Sequence, residues 1–280
     1  VAGNSLRIVL RPSALGRFAL LKTYLRIESK KLLVEIFKKR ITEERVFSQN
    51  VCFGDYRTFV ILFEEICLTG VYWFRAAGAA PLIVDGGANI GLSVAYFKTI
   101  YPACRIVAFE ADSRNFALLA GNAKRNSWSD LELHNLGLHR GDGELLFYDY
   151  NDVPGALSGG FWQPPSAGAP KRVLRLRTVP LSRYIDRRVD LLKLDIEGSE
   201  HAVLEDLEAN AKLAHIEQII LEYHHHVQPR EDRLGGFLSL LERAGFGYHV
   251  CARLALPFPR EETQNFMIGA YAKRVLNESQ

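Results

Sequence analysis

Long uninterrupted apolar runs are missing from this 280-residue chain. No segment reaches the roughly 18 apolar residues that a membrane-spanning helix needs, so no transmembrane segment is predicted. Near the start, Arg11, Arg17, Lys22 and Arg26 break the apolar stretches before a signal-peptide core of about 7–15 residues can be read. The sequence therefore predicts a cytoplasmic setting rather than secretion. Cysteine is scarce: Cys52, Cys67, Cys104 and Cys251 lie far apart with no C-x-x-C pair, which leaves a zinc knuckle or a disulfide framework without support. An excess of one charge is lacking too, because a formal net charge of +3 is too small to argue for a nucleic-acid partner. Positive charge is concentrated early, in Lys30, Lys31, Lys38, Lys39 and Arg40. That cluster reads as a solvated helix face or as a weakly basic surface for anionic lipid or glycan phosphate.

What is present is an ordinary globular composition, 48% hydrophobic and 24% charged, on a chain long enough to bury a full core. Apolar residues recur at helical spacing over 20–39 and again over 56–68, with a short strand candidate at 46–53 between them. Residues 1–80 thus read as a mostly helical extension and 81–280 as the main domain. From Pro81 onward the pattern alternates: strand 82–84, helix from Gly91, strand 105–109, helix 113–126, strand 131–135. This is a βαβαβ half. Glycine and proline over 141–172 then predict a mobile loop over the site. The alternation resumes with strands at 173–181 and 189–194, a helix over 199–213, a strand at 218–223 and a helix over 232–244. Strands at 248–255 and 266–272 would close the sheet as an antiparallel hairpin.

The first chemical motif is Leu82-Ile83-Val84-Asp85-Gly86-Gly87-Ala88-Asn89-Ile90-Gly91, an apolar strand delivering an acid and then glycines into a helix start. Glycines let the backbone approach a ligand, and the helix start offers unpaired N–H groups. Ala88 and Asn89 stand where the dinucleotide pattern G-x-G-x-x-G needs a second, closely spaced glycine, which disfavours a nicotinamide cofactor. Asp85 would repel a pyrophosphate but orient an ammonium, directly or through water, so a cofactor with an amino-acid part suits the loop. A tight turn that binds nothing is the alternative.

Next, Ile106-Val107-Ala108-Phe109-Glu110 places a carboxylate at a strand end roughly 20 residues beyond the loop, where it can accept from both hydroxyls of a ribose. Asn135 and Gly137 end the third strand, offering an amide and backbone groups to an adenine edge or simply making a polar turn. A buried strand ends at Asp195, and Glu197, Ser199 and Glu200 follow within one turn. Asp195 and Glu197 read as functional groups in the crevice of the sheet, while Ser199 and Glu200 also fit as helix-start residues. Lys193 reads as a buried charge balancing neighbouring carboxylates.

The fifth strand ends in Glu222-Tyr223-His224-His225-His226. Side chains alternate along a strand, so at most His224 and His226 share a face, and His225 should be solvated. Glu222 or His224 is the candidate base for an acceptor hydroxyl. Asp195 and Glu222 are the alternative, two hard ligands for a divalent ion such as magnesium.

Taken together, Val84-Asp85-Gly86-Gly87-Ala88-Asn89-Ile90-Gly91, Ala108-Phe109-Glu110-Ala111 and above all Leu192-Lys193-Leu194-Asp195-Ile196-Glu197-Gly198-Ser199-Glu200 resemble the FkbM-type methyltransferases. The resemblance covers 82–272. It implies an α/β, Rossmann-like class I methyltransferase fold, a mainly parallel seven-stranded sheet with an antiparallel last strand. It further implies S-adenosylmethionine as methyl donor and a hydroxyl acceptor on a sugar, glycolipid or polyketide-like product. Gly86, Gly87, Asn89 and Gly91 would surround the methionine part, Glu110 would hold the ribose, and Asp195 would lie near the methionine part and the acceptor. Many relatives carry proline after the second-strand acid. Ala111 stands there instead and leaves that turn less rigid.

O-methylation of a small-molecule or glycan acceptor is therefore the leading expectation, with positioning and a general base as the enzyme's contribution. A nucleic-acid substrate is disfavoured, since neither an Asn/Asp-Pro-Pro-Tyr motif nor a Pro-Cys pair occurs. A non-catalytic cofactor-binding or regulatory module of the same fold is the competing class. A homo-oligomer and peripheral membrane contact stay open.

Overall fold

The computed structural model describes residues 16–156, 159–161, 168–225, 232–252 and 264–277. Arg11, Trp162, Pro164, Pro165, His226 and the end of the strand expected at 248–255 lie outside them. In chain order the elements are helix α1 (Arg17–Phe37), strands β1 (Glu43–Val46) and β2 (Gln49–Cys52), helix α2 (Tyr56–Phe63) running into a π-helical turn (Glu64–Leu68), and β3 (Leu82–Gly86). Then come α3 (Leu92–Ile100), β4 (Arg105–Phe109), α4 (Ser113–Arg125), β5 (Leu131–His134), β6 (Gly137–His139), β7 (Gly143–Asp149), β8 (Gly159–Gly160) and β9 (Arg172–Pro180). The rest are β10 (Leu191–Leu194), α5 (Glu200–Ala209), β11 (Gln218–His225), α6 (Leu234–Arg243), β12 (Phe246–Cys251), β13 (Gln264–Ala272) and α7 (Lys273–Asn277).

The main sheet has seven strands in the order β12-β13-β11-β10-β3-β4-β5. β11, β10, β3, β4 and β5 are paired in parallel, and β13 runs antiparallel between β11 and β12. Parallel central strands are covered on both faces and so read as unbroken apolar runs; all four residues of β10 are buried. Successive side chains split between the faces. Ile83 joins a core with α1, α2 and α3, while Val84 joins another with α5 and α6. Strand order reverses between β10 and β3, which opens a crevice beyond the carboxyl ends of the strands.

The segment before Pro81 is part of this packing. Tyr24, Ile27, Phe59 and Phe63 share a core with Ile83, Phe97 and Ile106. The amide of Asn122 accepts from Cys52 N at 2.7 Å and donates to Cys52 O at 3.0 Å and Ile90 O at 2.9 Å. It thereby replaces a strand partner along β2. The strand expected at 46–53 is one arm of an antiparallel hairpin, with Val46 opposite Gln49.

The loop expected over 141–172 is corrected by the structure. Its first part is the seven-residue strand β7, paired antiparallel with β9 from Gly143↔Thr178 to Asp149↔Arg172, in a second sheet ordered β6-β9-β7-β8. Counting glycine and proline over the whole segment hid the run Leu145-Leu146-Phe147-Tyr148, an adequate strand sequence by itself. The chain reverses at Gly141-Asp142-Gly143. Among the described residues no helix is long and apolar enough to cross a membrane.

Candidate active site

A cavity of about 1140 Å³, counting space open to solvent, lies beyond the carboxyl ends of β3, β4 and β10. Gly87, Asn89, Glu110, Ala111, Gly137, Asp195 and Glu197 line it. Asp85, Gly86, Gly91, Asn135, Glu222 and His224 do not contribute to its lining.

The glycine turn is shaped by close approach. Gly87 has φ of 79°, and a Cβ there would sit 1.9 Å from the carbonyl oxygen of Asp195, so no other residue fits. Gly91 caps α3 at φ 88°, and a Cβ there would meet Leu119 at 2.7 Å; its role is to let α3 and α4 pack. Asn89 is left-handed at φ 52°, and its backbone N–H donates to Glu110 Oε2 at 2.9 Å. Glu110 Oε1 accepts from Asp112 N at 2.8 Å, so one carboxylate ties the glycine turn to the start of α4. Each oxygen keeps a lone pair for a hydroxyl. Burial pushes the Glu110 carboxyl up to about 7, against the lowering effect of its two N–H donors.

Asp85, expected at the ligand, is fully buried and does not line the cavity. Register places Asp85 beside Lys193, with Lys193 Nζ 3.2 Å from Asp85 Oδ1, and Ser93 Oγ donates to Asp85 Oδ2 at 2.6 Å. Lys193 also donates to Gly86 O at 3.1 Å and Gly87 O at 2.7 Å. Burial pulls the Lys193 pKa down, but Asp85 and Asp195 more than offset this and hold it above the usual lysine value. The lysine is the structural charge expected, and it pins the glycine turn to β10. Asn135 likewise spends its amide on Glu110 O at 2.9 Å and Ala111 O at 3.2 Å, so it fixes the turn that lacks a proline.

After β10 the chain makes a strained turn, with Glu197 left-handed at φ 58° and Gly198 at φ 109°. Non-glycine residues held there concentrate at functional sites. Ser199 precedes α5 without capping it through its side chain. The buried carboxylate of Glu200 does that work instead, accepting from Ile196 N and Gly198 N, each at 3.1 Å. His224 Nδ1 lies 3.0 Å from Glu200 Oε1, and its Nε2 lies 3.4 Å from Glu197 Oε2. Burial lowers the His224 pKa, but Glu200, Glu197 and Asp195 outweigh it and keep it well above the usual histidine value. With a carboxylate at each ring nitrogen, the geometry favours the charged ring, held between Glu200 and Glu197. Burial, with Asp195 and Glu200 adding to it, raises the Glu197 carboxyl, while His224 moderates the rise. Burial and Asp195 likewise raise Glu222, whose Oε1 accepts from Asn265 at 2.5 Å. His225, expected in solvent, is buried on the opposite face of β11.

Among the described residues, Asp195, Glu197 and His224 bring ligand atoms within 4.8 Å of one another. The pair expected to bind a divalent ion, Asp195 and Glu222, is not that set. A divalent ion held there would have to displace the proton that the flanking carboxylates favour on His224.

Other cavity residues gave no signal in the sequence. Tyr72 Oη donates to Asp195 Oδ2 at 3.0 Å, and Glu65 lies in the π-helical turn, its carboxyl pushed up to about 7 by burial, Asp195 and Glu222. Such turns recur at functional sites. Phe147, Asp149 and Phe161 cover the opposite side. Arg172 Nη1 reaches Asp112 at 3.2 Å and Asp149 at 3.3 Å, and Arg114 reaches Asp149 at 3.3 Å and Asp152 at 2.8 Å. This network fastens β7 over the turn that carries Glu110.

The sheet order, the antiparallel β13, the glycine turn and the acids after β4 and β10 define a Rossmann-like class I methyltransferase fold. The methyltransferase FkbM domain model matches residues 85–248, over half the chain, and the chain belongs to that family. Methyltransferase 1 of Beauveria bassiana (strain ARSEF 2860) is 30% identical over 165 residues, a match spanning 52% of this chain and 66% of that protein. Methyltransferase sdnD of Sordaria araneosa is 28% identical over 176 residues, covering 52% and 68%. Among solved structures, methyltransferase FkbM from Methylobacillus flagellatus KT is 19% identical with a TM-score of 0.46, covering 72% of this chain and 46% of that one. The chain thus spans just under two thirds of the Beauveria protein and under half of the Methylobacillus chain.

Proposed function

We propose that the chain is an S-adenosylmethionine-dependent O-methyltransferase acting on a hydroxyl of a sugar, glycolipid or polyketide-like product. The observation that carries this reading is one cavity joining the Glu110 carboxylate and the glycine turn to Asp195 and Glu197. The donor set suits the cofactor chemically. Glu65, Glu110 and Glu197 all have carboxyls raised by burial, and a cationic ligand relieves that cost. Residues 81–280 would hold the cofactor, while 1–80 supply Glu65 and Tyr72 to its far wall. A cytoplasmic setting belongs to the same reading.

In this reading Glu110 accepts the ribose hydroxyls, the backbone of Gly87 to Asn89 follows the methionine part, and Leu136, Leu138 and Leu176 face the base. When bound, the sulfonium supplies an electrophilic methyl group. Tyr72 orients Asp195 toward the cationic part, and Glu197 takes the acceptor's proton at its carboxylate as the hydroxyl oxygen attacks. His224, held by Glu200, keeps Glu197 in place and favours its ionised form. Because the Glu197 carboxyl is raised, activity should climb as pH rises through neutrality.

Incubating the protein with methyl-labelled donor and a panel of sugars, glycolipids and polyketides tests the proposal. Label recovered in an ether product, with a rate reduced about 10²–10⁴-fold in Glu197→Gln, supports it. Label on nitrogen or sulfur overturns the O-methyl assignment, and donor binding without transfer to any acceptor favours the non-catalytic module.

A further inference from the structure

Helix α1 is apolar on two opposite sides. Its inner side, Leu20, Thr23, Tyr24 and Ile27, is buried. On its outer side stand Phe18, 90% exposed, then Leu25, Leu32 and Ile36, the last 60% exposed. At about 100° per residue these four fall within about 40° of one line along the helix. Leu33 and Phe37 extend the stripe at its C-terminal end, 42% and 71% exposed. A solvated charged face, the simpler expectation for this helix, does not carry six large exposed apolar side chains in a row.

The charges around the stripe are mostly cationic. Exposed Lys22 lies beside it, Arg17 at its start, and Lys38, Lys39 and Arg40 immediately beyond its end. The acids of α1 are engaged elsewhere, Glu28 with Lys31 and Glu35 with Arg57. An apolar stripe rimmed by cations matches the interface of an anionic membrane. A second copy of the chain fits it less well, because stripe against stripe would set cations largely against cations, with Glu28 and Glu35 already paired to Lys31 and Arg57.

We propose that the outer side of α1 is a docking surface for an anionic lipid bilayer, with the stripe in the acyl boundary and the flanking cations among the headgroups. This does not rest on the methyltransferase reading. Flotation of the full chain with vesicles of phosphatidylcholine, alone or mixed with phosphatidylserine, tests it at low and high salt. The chain should float with the mixed vesicles and weaken in high salt. Lys38→Gln with Lys39→Gln should cost about fivefold per charge. Leu32→Ser with Ile36→Ser should abolish flotation while leaving the melting temperature and S-adenosylmethionine binding unchanged, since both side chains are exposed. Failure to float, equal binding to neutral vesicles, or a lipid-free dimer that the serine substitutions dissociate overturns the proposal.

Discussion

Glu110 should make cofactor affinity depend on pH in a calculable way. Burial outweighs the N–H bonds from Asn89 and Asp112 and pushes its carboxyl from the usual 4.5 up to about 7. Only the ionised form accepts two ribose hydroxyls without surrendering a lone pair to its own proton. At pH 6 about one such group in eleven is ionised and at pH 8 about ten in eleven, so affinity for S-adenosylmethionine should tighten about tenfold over that range through this group. The stability contribution has the opposite sense. A raised carboxyl stabilises the unliganded fold below 4.5, and that contribution is lost as pH rises through about 7. The melting temperature without ligand should therefore fall over this window, and the shift produced by the cofactor should grow. Glu110→Gln cannot ionise. It should weaken binding at pH 8 by about 1–3 kcal/mol and remove its share of the pH slope, leaving what Glu65 and Glu197 contribute. Calorimetric titration at pH 6, 7 and 8, with thermal melts as a fold control, measures both effects. Equal affinity at pH 6 and 8 in the native protein, or an unchanged slope in Glu110→Gln, refutes the reasoning.

Removing the hydroxyl of Tyr72 by Tyr72→Phe deletes its bond to Asp195; kcat/KM should fall about fivefold, the equivalent of about 1 kcal/mol, with the urea midpoint nearly unchanged. Glu200→Ala leaves two turn N–H groups and the buried His224 without their acceptor, and urea denaturation should show a loss of about 3–5 kcal/mol. Arg172→Ala releases β7 from Asp112, so KM for the cofactor should rise more than kcat falls. Chelation with EDTA should leave the transfer rate unchanged; a loss restored by magnesium would return Asp195 and Glu222 to the part of metal ligands.

Where local pattern and tertiary role coincide, the sequence was readable. The apolar runs at β3, β4 and β10 can only be buried strands, and each ends in polar residues that the parallel register carries to one edge. Glu110, Asp195 and Glu197 are carried to one cavity in this way. The acid before a glycine turn looks the same whether it faces a ligand or a buried lysine, so the pairing of Asp85 with Lys193, more than a hundred residues away, has no local signature. The carboxylates that the fold sets at both ring nitrogens of His224 have no signature in the strand that carries it. Tyr72 and Glu65 come from a segment whose pattern records only its own helices and not the cavity behind them. β7 was concealed by the glycine and proline on either side of it.

On the proposed function, S-adenosylmethionine binds this cavity through Glu110 and the glycine turn, and calorimetric titration of the purified chain at pH 8 is the test. Saturable binding at one site per chain, weakened in Glu110→Gln while the protein stays folded, is the predicted result. A folded protein that binds neither S-adenosylmethionine nor S-adenosylhomocysteine would contradict it.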